Sequence, residues 1–102
     1  MVKRNRIHKK LAERDGLLCW ICELPIEEKM LMVRCSEINN NSLAASRDHV
    51  VPVSKGGGNA LTNLRLSHAA CNCRRADQDI TDEIRAWCRR TVERLKRERK
   101  KK

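Results

Sequence analysis

The stretch Arg47-Asp48-His49-Val50-Val51-Pro52 decides how the rest of the chain is read. An acidic oxygen donor stands directly beside a histidine, on a run that reads as a short β-strand from Asp48 to Val53. Neighbours on a strand point to opposite faces. Asp48 and His49 therefore serve one site only where that site wraps the strand edge or the strand is distorted. Downstream, Ser54-Lys55-Gly56-Gly57-Gly58-Asn59 reads as a turn that needs positive φ and admits close approach of another backbone. Leu61–Leu66 leads into a second strand with Asn63 just before it, and Asn72-Cys73-Arg74-Arg75-Ala76 has helix composition. Upstream, Cys35–Ser46 is polar and asparagine-rich and reads as a loop, preceded by a short strand over Met30–Val33.

Both ends read as helices. Arg4–Arg14 carries Ile7 and Leu11 four apart, with Gly16 just past its C-terminus. His8 falls on its basic surface and reads as solvated. Ile80, Ile84, Trp87, Thr91 and Leu95 form one apolar stripe on a last helix, which Asp79 or Thr81 can cap. Beyond Leu95 the stripe stops, so residues 97–102 read as a fraying basic tail. At 102 residues the chain is one domain: a basic helix in 1–18, a central core in 19–76, an amphipathic helix in 79–96 and the tail.

Two tryptophans, no phenylalanine and no tyrosine make a poor core, which at this size needs a staple. Met1–Lys10 is charged with no apolar segment after it, and the run Leu17–Cys22 is too short to cross a bilayer. A cytoplasmic, reducing setting is expected, where six cysteines favour metal over disulfide. The net charge is +10, with six Lys/Arg against Glu13 in residues 1–14 and ten against four acids in residues 81–102. A near-neutral centre between two cationic arms suits a polyanion such as DNA rather than a membrane.

Two sets of residues carry metal chemistry. Cys19 and Cys22 form one knuckle, and His68 and Cys71 another with the same two-residue gap. Together they offer four N/S ligands to a tetrahedral structural Zn²⁺. Cys73 lies close enough to take the place of Cys71, whereas Cys35 and Cys88 lack partners at ligand spacing, and Cys88 beside Trp87 reads as core. The second set is harder. A site that hydrolyses phosphodiesters needs few protein ligands and open positions for water and phosphate oxygens. Asp48 offers a carboxylate oxygen and Asn72 an amide oxygen, His49 is the natural general base, and Asn63 can fix the imidazole or the loop that carries it.

Asp48-His49-Val50-Val51-Pro52, Lys55-Gly56-Gly57-Gly58-Asn59-Ala60-Leu61-Thr62-Asn63-Leu64 and His68-Ala69-Ala70-Cys71-Asn72, behind a Cys-x-x-Cys, resemble the HNH endonuclease family over roughly residues 10–76. The resemblance implies an α+β fold of the ββα-metal (His-Me finger) kind: two antiparallel strands and a helix clasping one catalytic divalent ion, Mg²⁺, Mn²⁺ or Ni²⁺. It implies His49 as general base, Asn63 as the asparagine supporting it, Asp48 and Asn72 as ligands of that ion, and Cys19, Cys22, His68 and Cys71 as the zinc knuckles. Two positions depart from the family pattern. Asn72 stands where a histidine is common, which makes this an H-N-N variant, and His68 stands where many relatives have cysteine.

The expected activity is metal-dependent hydrolysis of DNA. Arg74, Arg75 and the basic arms would contact phosphates, with weak sequence preference because phosphates carry no sequence information. One site cuts one strand, so a monomer nicks and a homodimer is needed for a concerted double-strand cut. A zinc-stapled DNA-binding module without catalysis is the rival; it has no use for Asp48, His49 and Asn72 together. In a third alternative the stripe on the last helix meets a partner protein rather than its own domain.

Overall fold

The structure, a computed structural model, describes residues 3–33 and 42–100. Helix α1 spans Lys3–Asp15. It ends as its sequence requires: Gly16 takes φ 85° and donates its N–H to the Ala12 carbonyl at 2.7 Å, a left-handed cap. Leu11 is buried on its inner face, and so is His8. The histidine is not solvated; its Nδ1 donates to the Leu31 carbonyl at 3.3 Å. Residues three apart share a helix face, so His8 follows Leu11 into the core.

The Cys-x-x-Cys segment folds into a tight knuckle. Leu18 pairs with Pro25, Cys19 donates to the Leu24 carbonyl, and Glu23 turns the corner at φ 64°. After it comes a 3-10 turn, Glu28–Leu31, where a strand over Met30–Val33 was expected. Of that run only Leu31 is buried, and its carbonyl is taken by His8 rather than by a strand neighbour. The apolar composition was right for burial of one residue and wrong for a ladder.

Strands β1 (Ala45–His49) and β2 (Leu64–His68) pair antiparallel, in a register that sets His49 opposite Leu64 and Ala45 opposite His68. The first strand lies earlier than the expected Asp48–Val53. Pro52 cannot donate to a ladder, and the side chain of Asn63 takes over both backbone groups of Val51. At the other end Ser46, expected in a loop, is inside β1; residues 34–41 of that loop lie outside the described residues. The glycine turn behaves as its composition demands. Gly56 has φ 93°, and at Gly57 any side chain would collide with the Val51 carbonyl.

Helix α2 (Ala69–Arg75) follows β2 without a loop, and the carbonyls of Ala44 and Ser42 take its first two N–H groups. Helix α3 (Asp82–Lys100) starts at Thr81, whose hydroxyl accepts from the Ile84 N–H at 3.2 Å. It passes straight through the expected end at Lys96. Nothing in Lys96–Lys100 breaks a helix, Arg94 pairs with Glu98 one turn on, and cations suit a C-terminus. Ile84, Cys88, Thr91, Val92 and Leu95 are buried, so the stripe packs on its own domain and Cys88 is core. Three cations of α3 are spent inward: Arg85, Arg89 and Lys96 donate to the carbonyls of Ile21, Cys22 and Pro25. The last helix thereby clamps the knuckle. No helix among the described residues is long and apolar enough to cross a membrane.

Candidate functional site

Cys19 and Cys22 from the knuckle, His68 from the end of β2 and Cys71 from the first turn of α2 converge. Their ligand atoms all lie within 4.8 Å of one another, and all four residues are buried. Cys73, the alternative fourth ligand, is only partly buried and stands outside this group. Helical periodicity explains the choice, since Cys71 and Cys73 are two apart and point away from each other. The thiols compete for one negative charge. Burial opposes ionisation of Cys19, but hydrogen bonds from Cys22, Cys71 and His68 pull its thiol down. Hydrogen bonding to Cys19 pushes Cys22 up to about 12, and Cys71 is pushed up by Cys19, Cys22 and Cys88. A soft cation in their midst removes that conflict, because it lets several thiolates coexist. Three sulfurs and one imidazole nitrogen, buried and convergent, are a donor set that can hold a metal ion.

The second set is held differently. Along β1, alternation puts Ser46 and Asp48 on one face and Arg47 and His49 on the other. Asn72 and Arg75, three apart on α2, meet the first pair: Asn72 Nδ2 donates to Ser46 Oγ at 2.8 Å, and Arg75 Nη1 to Asp48 Oδ2 at 2.8 Å. The Asp48 and Arg75 side chains are only 4% and 3% exposed. Trp20 Nε1 donates to the same Asp48 oxygen at 2.9 Å. Burial pushes the Asp48 carboxyl up from its ordinary range; Arg75, the Trp20 hydrogen bond and the His49 charge pull the other way and only partly offset it. Breaking such a buried pair costs on the order of 3–5 kcal/mol.

Arg75, expected as a phosphate contact, is therefore an internal residue. Beyond Asp48 it donates to the carbonyls of His49 at 2.6 Å, Val50 at 2.8 Å and Gln78 at 2.9 Å, and its guanidinium lies over the Trp20 ring. Four of its five N–H donors are taken inside the fold, and its side chain is 3% exposed. Arg74 is half-buried with its guanidinium 5.8 Å from the centre of the Trp87 ring. Asn63 supports the loop rather than the imidazole: it accepts from Val51 N–H at 2.9 Å and donates to the Val51 and Gly58 carbonyls at 3.1 and 2.9 Å. Asn59 holds the histidine, with His49 Nε2 donating to its Oδ1 at 2.8 Å. That bond fixes the tautomer and leaves the basic lone pair of a neutral His49 on Nδ1.

Asp48 and Asn72 fit a hard divalent ion in donor type. Among the described residues no donor reaches Asp48 Oδ1 or Asn72 Oδ1, so each keeps one oxygen for a cation. Trp20, Ser46, Asn59 and the inward role of Arg75 were not found from sequence. Only Asn59 had a signal, its position closing the glycine turn ten residues after His49.

Two short antiparallel strands running straight into a helix, with a soft-ligand cluster where strand and helix meet, define a ββα unit of the metal-clasping kind. The model of the HNH endonuclease family matches residues 33–78, and over that stretch the chain is similar to that family. The match begins beyond Cys19, Trp20 and Cys22, so half of the ligand cluster comes from outside it. No curated protein matches this chain.

Proposed function

We propose that this chain is a metal-dependent DNA endonuclease with His49 as general base. The main support is the presentation of His49: its Nε2 is tied to Asn59, Asn63 pins the loop that follows, and Nδ1 is left to accept a proton. Hydrolysis balances simply. Water oxygen bonds to phosphorus as Nδ1 takes its proton, the bond to the 3′ oxygen breaks, that oxygen takes a proton from solvent water, and the His49 imidazolium returns its own to solvent. Held by Asp48 and Asn72, Mg²⁺, Mn²⁺ or Ni²⁺ would supply positive charge to offset the charge growing on the phosphate. Asp48 and His49 leave β1 on opposite faces, so the phosphate would meet both across the end of the strand, which stops at His49. Asp48 presents its free oxygen, Asn72 is oriented by Ser46, and Asn63 keeps the histidine's loop in place.

Zn²⁺ is the natural occupant of the Cys19, Cys22, His68 and Cys71 cluster, with a structural role. DNA binding falls to the cations not spent inside the fold: exposed Lys9 and Lys10 of α1, Arg74, and Arg90, Arg94 and Arg97 of α3. These touch phosphates, so sequence preference is weak and one chain nicks one strand. One observation favours a second reading, a DNA-binding module without catalysis: Asp48 Oδ2 already carries two internal donors. Nicking of supercoiled plasmid separates the two. His49→Ala is expected to lose at least about a hundredfold in rate while binding DNA as wild type does. Equal cutting by both proteins would remove His49 from the mechanism, and no cutting by wild type with any of the three metals would favour the binding module.

A further inference from the structure

We propose that Arg75 governs how tightly the site takes its divalent ion, as a resident cation that shares Asp48 with it. This rests on the reading of Asp48 as a ligand and goes beyond it. The guanidinium cannot be displaced piecemeal. One group bonds Asp48 Oδ2, the carbonyls of His49 and Val50 on the next two residues, and the Gln78 carbonyl, with the Trp20 ring beneath. Its own helix also carries Asn72, three residues earlier on the same side, so α2 supplies both a ligand and the charge that opposes the ion.

Two consequences have opposite signs. Arg75 and Trp20 together occupy Oδ2, so an ion is left with Oδ1 of a carboxylate that a fixed positive charge has already partly neutralised. Like charges on one carboxylate repel, and in a buried setting that repulsion is weakly screened. Binding is thereby weakened. At the same time Arg75 holds the peptide oxygens of His49 and Val50, which sets where the histidine points. It is a positioning residue that trades ion affinity for the geometry of the base.

Mn²⁺ binding to the zinc-loaded full chain, followed by EPR, tests this with Arg75→Gln, Arg75→Lys and Asp48→Asn. Removing the charge with Gln is expected to tighten Mn²⁺ by about tenfold or more, while nicking at saturating Mn²⁺ falls. Lys keeps the charge and should bind Mn²⁺ within about twofold of wild type. A purely structural Arg75 would lower affinity and rate together, and a folded Gln variant that binds no tighter than wild type overturns the proposal. A second readout needs no variant at position 75. Mg²⁺ titrated into wild type should shift the indole N–H resonance of Trp20, which bonds the shared carboxylate, and leave that of Trp87 in place. Mg²⁺ binding with a still Trp20 resonance also overturns it. Asp48→Asn separates the underlying assumption: unchanged Mn²⁺ affinity there means that Asp48 is no ligand, and both readings fall.

Discussion

The two ligand sets of this small fold are built on opposite plans. Cys19, Cys22, His68 and Cys71 face one another in full burial and bond largely among themselves, so the fold crowds thiols that compete for one charge. Asp48 and Asn72 are already partnered, by Arg75, Trp20 and Ser46, and the fold is satisfied without an ion there. On the proposed reading the first set would couple metal to folding, and the second would couple metal to function. A chain with so few large side chains can build around the first, but it must insulate the second from its own stability.

The sharpest way to break that contrast is to remove ligands from each side. Cys71→Ser is expected to lose the bound metal and leave the chain largely unfolded at about 25 °C, because a structural zinc set contributes on the order of 10 kcal/mol. Cys73→Ser, two residues on, should leave thermal melting and metal content unchanged. Asp48→Asn should cost far less than Cys71→Ser, about 3–5 kcal/mol, because it leaves the buried Arg75 charge without its partner. A loss as large as that of Cys71→Ser would mean that both sets hold the fold equally.

Gly57→Ala comes next. A methyl group there collides with the Val51 carbonyl and would sit 2.9 Å from Asn63 Nδ2, so the loop beyond His49 must shift. A loss of about 1–3 kcal/mol in chemical denaturation is expected, with a larger proportional loss in nicking than in stability. The smallest effect is on binding. Replacing Arg90, Arg94 and Arg97 with alanine should flatten the salt dependence of DNA binding by about 0.9 in log–log slope for each phosphate that is no longer neutralised. Replacing Arg85 and Arg89, which hold the knuckle carbonyls, should lower stability and leave the slope alone.

What was legible in sequence divides along the same line. The soft cluster could be read from spacing because a two-residue gap fixes two ligands on one local turn, whatever surrounds them. The glycine turn, the caps at Gly16 and Thr81 and the stripe of α3 are local in the same sense. Arg75 was misread because composition gives its charge and not its burial. Whether an arginine faces DNA or a carboxylate depends on Asp48, Val50 and Trp20, all distant in the chain, the first two by 27 and 25 residues. Strand β1 was displaced for a similar reason: the apolar run Val50–Val53 looked like a ladder, but a distant asparagine side chain bonds its backbone instead. His8 followed Leu11 inward against its polarity.

Anomalous scattering from a crystal of the zinc-loaded protein soaked in Mn²⁺, recorded at the zinc and manganese edges, tests the two plans most directly. The expected result is a zinc peak among Cys19, Cys22, His68 and Cys71, and a separate manganese peak between Asp48 and Asn72 with Arg75 still on the carboxylate. A manganese peak away from Asp48, or one seen only where Arg75 has left, would contradict it.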